Sequence, residues 1–450
     1  MDGMQNSQPA QAGGEQPWPP PRQAWYAVGV MTVALMFNFL DRGVLTLLIE
    51  PIKRDMQLSD TQVSIVVGFA FVAFYAIVGF PIARLVDSRS RRAILGFGIA
   101  MWSGMTAMCG LAQNFWHLFV ARLGVGVGEA CNGPATFSLM ADLFPREKLP
   151  KAISVLNIGF VYGQGIALLV GGTVIGAISV LPPMTLPLLG EVRPWQLTFF
   201  AVGIPGLFIA AMMATVKEPA RRGLAGAPGG KIDQIPVREV IAFLVDNRGA
   251  YGPMFLGLAV QGMLVIGTLS WLPSFFIRTH EWEIAKFGQV FGLILLFISP
   301  LGLLCGGWLA EKLAKKGYYD TNQRIVATVA ILILPLQVAF PLVPNPWFAI
   351  VLLGLQNFMA AWAIGPQNAA LQVITPNRMR GQVTALFIFV LNFVGFGIGP
   401  TFIALITDFV FGSEEQLRYA MALAAIVMEP LAAFIFWKGM KAYGEMVARG

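Results

Sequence analysis

The chain has 450 residues, of which 56% are apolar and only 12% charged, with 31 Lys/Arg against 24 Asp/Glu and a net charge of +7. A soluble domain carries roughly 25% charge, so this composition excludes a soluble globular enzyme, a disordered chain and a disulfide scaffold. Lipid must be the solvent for most of the surface, and at about 20 apolar residues per crossing there is room for roughly twelve spanning helices.

Residues 1–22 are polar and rich in Pro and Gln, and read as a disordered cytoplasmic tail. No basic stretch precedes a short apolar core with a small-residue cleavage site, so they are not a signal peptide. Apolar runs follow at about 24–49, 62–85, 93–111, 115–140, 151–179 and 195–216. A second set lies at about 250–277, 286–310, 325–341, 347–372, 382–407 and 416–438. The runs are helix-length and lack strand alternation, which makes them helical spans. The longest polar break, 217–249, separates the two sets. Within it 223–230 is Gly-rich and flexible, whereas Val237, Val240, Ile241 and Leu244 recur at helical spacing and predict a short amphipathic helix on the membrane surface.

The predicted fold is an all-α membrane protein with twelve transmembrane helices in two pseudo-symmetric six-helix bundles. Its organisation is a tail (1–22), an N-terminal bundle (23–216), a cytoplasmic linker (217–249) and a C-terminal bundle with a short cytoplasmic tail (250–450). Two recurring features support a duplication. Ala83-x-Leu85-x-Asp87-x-Arg89-x-Arg91-Arg92 after the second run is matched by Gly307-x-Leu309-x-Glu311-Lys312 after the eighth. Gly133-Pro134 in the fourth run is matched by Gly365-Pro366 in the tenth.

Basic residues orient the bundle. With the N-terminus inside, inner segments hold 23 of the 31 Lys/Arg and outer loops hold 6, while Arg42 and Arg122 lie within spans. Both termini are therefore expected in the cytoplasm of a plasma (cell inner) membrane protein, and the net charge is a topology signal rather than a nucleic-acid footprint. Cys109, Cys131 and Cys305 sit in apolar runs without metal-ligand spacing, so neither a zinc site nor any other metal is indicated. No phosphate-binding G-x-x-x-x-G-K-[ST] motif is present, and no cofactor is expected.

The loop after the second run resembles the major facilitator signature G-x-L-x-D-R-x-G-R-R, with Ala83, Ser88 and Ser90 as departures and Asp87, Arg91 and Arg92 retained. A narrower set is similar to the spinster family of proposed lipid transporters: Asn38-Phe-Leu-Asp41-Arg42, Leu58-Ser-Asp60-x-Gln62, Arg122-Leu-Gly-Val-Gly-Val-Gly-Glu129-Ala and Ala141-Asp-Leu-Phe-Pro-Arg146. The resemblance implies alternating access around a midplane cavity lined by the first and fourth spans, a lysolipid or sphingoid-like substrate, and proton coupling.

Charges inside spans are costly and mark function by default. They are Asp41 and Arg42, Arg122 and Glu129, and Glu429. At ~1.5 Å per residue, Arg122 and Glu129 lie about 10 and 21 Å below the outer end of span four, and Asp41 about 14 Å below that of span one. The four residues can therefore meet, with zero net charge. Asp41 and Glu129 are candidates for proton coupling. Arg42, Arg122, Glu129, Asn132, Tyr162, Gln261, Trp271 and Gln367 are candidates for substrate binding. The alternative is a static ion cluster that fixes helix packing. Glu429, beside Pro430, is expected to pair locally or sit protonated. Asp87, Arg91, Arg92 and Glu311 are candidates for a cytoplasmic gate, or else act only as topology determinants. No catalytic residues are found: a lipid-modifying enzyme would need a nucleophile–base pair or a metal cluster. The expected function is secondary transport of an amphipathic lipid-like substrate coupled to protons, by a monomer in the bilayer with no nucleic-acid partner. A carrier of a small polar organic anion and a non-transporting receptor remain as alternatives.

Overall fold

A backbone in lipid has no water to pair with, so each crossing must satisfy its own N–H and C=O groups, as a helix does. The computed structural model describes residues 17–145, 147–182, 184–186, 190–221 and 236–449. Most of the expected tail (1–16) and the Gly-rich 223–230 stretch lie outside the described residues. The N-terminal part comprises α1 (Pro21–Leu47), the short α2 (Ile49–Met56), α3 (Asp60–Ser64), α4 (Ala70–Ser88), α5 (Arg91–Cys109), α6 (Phe115–Glu129), α7 (Asn132–Leu143), α8 (Leu149–Ser179) and α9 (Pro194–Thr215). A ten-residue α10 (Val237–Asp246) follows, with Val240 buried. The C-terminal part comprises α11 (Arg248–His280), α12 (Ile284–Ala314), α13 (Thr321–Leu342), α14 (Pro346–Ile374), α15 (Arg380–Val390), α16 (Gly399–Leu405) and α17 (Leu417–Arg449). π-helical stretches at Ile65–Phe69, Leu391–Ile398 and Ile406–Phe411 join α3 to α4, join α15 to α16, and extend α16.

Ten of these helical rods are long and apolar enough to cross a bilayer. The remaining two long helical segments differ. α5 opens on Arg91 and Arg92, and α6 and α7 are separated at Ala130 and Cys131, one residue past Glu129. Among the described residues the fold departs from purely helical at one place. Between α8 and α9, β1 (Met184–Leu186) and β2 (Gly190–Val192) pair antiparallel with Met184 opposite Val192. This long loop lies beyond the apolar runs, where pairing with itself is as good as pairing with water.

Pro21, Thr215, Arg248 and Arg449 lie at helix ends on one face, called here the terminal face, and α1 and α11 end at the opposite, distal face. One buried cluster is built from residues between Ala24 and Val216, and a larger one draws on both parts of the chain. The parts meet along two seams. In the first, α8 crosses α12 through glycines: a Cβ on Gly172 would sit 3.0 Å from the Gly288 Cα, and one on Gly288 would sit 2.6 Å from the Leu168 carbonyl oxygen. In the second, the α3–α4 rod meets the α15–α16 rod, where a Cβ on Gly68 would lie 3.2 Å from the Gly397 carbonyl oxygen. Both seams occupy the distal half of their helices.

Candidate functional site

The charged site is assembled by close helix contacts. The Gly124/Gly126/Gly128 stripe brings α6 onto its neighbours. A Cβ on Gly126 would meet the Phe71 backbone of α4, and one on Gly128 would sit 2.6 Å from the Trp102 amide nitrogen of α5. This places Arg122 and Glu129, two turns apart, beside Asp41 and Arg42 of α1. Asp41 and Arg122 are each 2% exposed and Glu129 1%.

Arg42 donates through Nε at 3.1 Å and Nη2 at 2.5 Å to the same Glu129 oxygen, Oε2. Its side chain keeps 22% exposure while that of Glu129 has none. The other Glu129 oxygen is buried with no hydrogen-bond partner among the described residues. Arg122 is not ion-paired among those residues, and its Nε and Nη1 are buried without an acceptor. Asp41 lies within electrostatic reach of Glu129, Arg122 and Arg42. The adjacent Thr106 hydroxyl does not reach ordinary hydrogen-bond geometry with it. Phe71 underlies both guanidinium groups, 4.3 Å from that of Arg42 and 5.6 Å from that of Arg122. From the other part of the chain, the Phe396 ring lies 5.4 Å from the Arg42 guanidinium. The site thus holds one ion pair and two further buried charges that are not directly bonded to each other.

The other candidates are dispersed. Asn132 is half-buried and its side-chain oxygen accepts from Thr136. Tyr162 on α8 and Gln367 on α14 are half-buried, the latter with an unpartnered Nε2. Gln261 on α11 is half-buried beside Glu429, which is wholly buried on α17. Trp271, also expected to bind substrate, lies toward the distal end of α11. It is 0% exposed, donates its indole N–H to the Pro400 carbonyl at 2.9 Å, and packs under the Arg278 guanidinium at 5.5 Å. Its ring packs in the closed distal seam.

The expected cytoplasmic gate also reads differently. Asp87 is exposed and has no ion-pair partner among the described residues. Arg91 is buried and braces the N-terminal part internally. It pairs with Asp142, donates from Nε to Glu218 at 2.8 Å, and donates from Nη2 to the Pro219 carbonyl at 2.8 Å. Arg92 donates to the carbonyls of Ala214 and Val216. Among the described residues Glu311 pairs only with Lys315, one turn away on the exposed surface. Partial burial would raise the Glu218 carboxyl, but hydrogen bonds from Arg91, the Arg92 amide and Ser90 outweigh it and hold the group below the usual glutamate range.

The contacts that do bridge the two parts lie at the distal face, and the sequence analysis did not single them out. Arg278 of α11 grips Asp60 with Nη1 and Nη2 at 2.7 and 2.8 Å, and donates from Nε to Glu50 at 2.8 Å. Lys53 pairs with Asp60 and, at 2.7 Å, with Glu414. Asp408 accepts from the Thr61 amide and hydroxyl at 2.8 and 2.6 Å. Glu50, Lys53, Asp60 and Arg278 sit at run ends, where charge is ordinary. The available signal was Lys53 and Asp60 of opposite sign within one short outer segment.

Comparison with known proteins adds a family. The profile of the Major Facilitator Superfamily matches residues 31–400. An MFS-type efflux pump of Mycolicibacterium smegmatis is 27% identical over 94% of each chain. A probable L-galactonate transporter of Escherichia coli is 25% identical over 91% of this chain and 88% of its own. Protein spinster of Drosophila melanogaster is 22% identical over 86% of this chain and 62% of its own. Among solved structures, a bacterial homologue of the human lysosomal transporter Spinster, in an inward-facing and unoccupied conformation, superposes with a TM-score of 0.78 at 22% identity. That alignment covers 96% of this chain and 98% of the other.

Proposed function

The chain belongs to the major facilitator superfamily, and we propose that it is a secondary active transporter of an amphipathic, lipid-like substrate, driven by protons. In this reading α5 and the α6–α7 pair supply the third and fourth of twelve spans. The spans form two six-helix bundles, 23–216 and 250–450, joined by the 217–249 linker. The terminal face is cytoplasmic in the plasma membrane, and the working unit is a monomer. The closed distal seam then corresponds to an inward-facing state.

The observation that carries the reading is the Arg42–Glu129 pair. Arg42 is the one member of the cluster with appreciable exposure, and it is held by a single carboxylate oxygen. Protonation of Glu129 removes the counter-ion of Arg42. The freed guanidinium, with Arg122 nearby, can then take an anionic headgroup through paired hydrogen bonds. Asp41 balances the remaining positive charge. Proton uptake and anion binding are thus linked through one charge balance, each favouring the other, and the aromatic rings flanking Arg42 offer an apolar surface for a chain next to the headgroup.

A second reading, a small polar organic anion, draws support from the two unpartnered Arg122 nitrogens and from the relative named as an L-galactonate transporter. A ligand screen separates the two. A ligand at a hundredfold excess over Kd stabilises the folded state by about 2.7 kcal/mol. Under the lipid reading, lysolipids or sphingoid bases raise the melting temperature of the purified protein and short sugar acids do not; the reverse selects the anion. In proteoliposomes, Asp41→Asn and Glu129→Gln should each abolish proton-dependent flux at normal expression. Coupling retained in both would remove the proton switch.

A further inference from the structure

We propose that Phe396 is a positioning residue for the charged site: its ring, delivered by the C-terminal part of the chain, caps Arg42 while the distal seam is closed, so that the Arg42–Glu129 pair senses closure. The proposal rests on the transporter reading of that site.

Three observations carry it. First, the Arg42 guanidinium lies between two rings, Phe71 of its own part at 4.3 Å and Phe396 of the other at 5.4 Å, while Glu129 holds one edge. Second, among the described residues Phe396 is the one hydrophobic side chain from beyond Val216 that packs against the buried cluster formed by residues between Ala24 and Val216. Its half-buried ring docks on the edge of that cluster. Third, the backbone is built to deliver it. Phe396 sits on the π-helical stretch Leu391–Ile398, a geometry common at functional sites because its extra residue re-aims side chains. Gly395 and Gly399 bring this stretch onto α11: a Cβ on Gly399 would be 2.5 Å from the Met263 carbonyl oxygen, and one on Gly395 would be 3.3 Å from that of Gly262. On the opposite side Gly68, itself in the π-helical Ile65–Phe69, has no side chain to hold the two rods apart.

A ring over a guanidinium stabilises the cation and excludes water from it. With the seam closed, Phe396 favours Arg42 charged and bonded to Glu129. When the seam opens, the ring leaves with the C-terminal part and that face of Arg42 meets water. Closure and the charge state of the pair are thereby coupled in both directions, as linkage requires. A plain hydrophobic plug would depend on the size of the side chain and not on its π face.

The test compares Phe396→Leu, which keeps an apolar side chain without a ring, with Phe396→Tyr, which keeps the ring. Spin labels at Ser88→Cys and Asn377→Cys, exposed positions on the terminal face, report separation in the full-length chain with Cys305 replaced by Ser. Phe396→Leu should move the distance population toward the terminal-closed state by about three- to thirtyfold, the range for one desolvated cation–aromatic contact. It should also move the pH midpoint of proton-driven flux, with Phe396→Tyr near wild type in both. Leu and Tyr variants alike in both readouts, whether both normal or both shifted, would overturn the proposal. If only the Leu variant shifts the distances but wild-type flux ignores the proton gradient, the contact stands and the transport reading fails. If flux is proton-driven and the Leu variant matches wild type, the reading stands and the role of Phe396 fails.

Discussion

The two faces of the molecule use ion pairs of similar chemistry for different ends. At the distal face Arg278 reaches from the C-terminal part to Glu50 and Asp60 of the N-terminal part, and Lys53 returns the contact to Glu414. At the terminal face Arg91 is just as buried, yet it pairs with Asp142 of its own part and with Glu218 and Pro219 at the start of the linker, not with the C-terminal part. One set ties the two parts of the chain together, and the other holds the N-terminal part to the linker that leaves it. Burial and charge alone therefore do not tell which ion pairs join the two parts; the partner's position in the chain does.

The comparison can be broken most forcefully at Arg278. Its replacement by Ala leaves Glu50 and part of Asp60 buried without their cation, and breaking such a pair costs about 3–5 kcal/mol. The melting temperature should fall and a label pair across the distal face should separate. Arg91→Ala should cost a similar or slightly smaller amount, since Glu218 is partly solvated, but leave that distance unchanged. Equal distance changes in both variants would erase the distinction between gate and brace.

Acid titration sharpens the brace. The Glu218 carboxyl is depressed in the folded state, so its stabilising effect is fully present above the ordinary value of about 4.3 and is lost as pH falls through the folded value. The difference in melting temperature between wild type and Glu218→Gln should hold steady above pH 5 and shrink as the solution is made more acidic. Asp87→Asn gives the smallest effect. As an exposed side chain without an ion pair in the distal-closed state, it should alter stability by no more than about 0.5 kcal/mol. Any gating role for Asp87 would show only as a shift between open and closed distance populations.

How much of this was legible depends on what marks a residue. Asp41, Arg42, Arg122 and Glu129 announce themselves because a charge within an apolar run is anomalous, and their common depth follows from helical rise. The helical architecture follows from the same runs. Arg278 and Asp60 sit at the edge of such runs, where a charge is the normal interfacial residue; Asp60 stands out only as part of a family-like motif, and their pairing across the two parts shows only in three dimensions. Trp271 and Phe396 are hidden for the opposite reason. In a chain solvated by lipid an aromatic residue is at home facing outward or inward, and periodicity loses the polar side that would orient it. The gate-like motif around Asp87 was visible as a motif, but which body its arginines bind depended on Glu218 and Asp142, beyond any local pattern.

The glycine seam between α8 and α12 has a mechanical consequence. At Gly172 and Gly288 backbone rests on backbone, whereas at Gly165 and Gly292 the side chains of Leu296 and Leu169 also reach across from the opposing helix. Toothed surfaces turn against each other only by disengaging and meshing again in a new register, whereas smooth ones can roll. The Gly172–Gly288 crossing is therefore the smooth part of the seam, and a branched side chain at either position would act as a wedge driven into it.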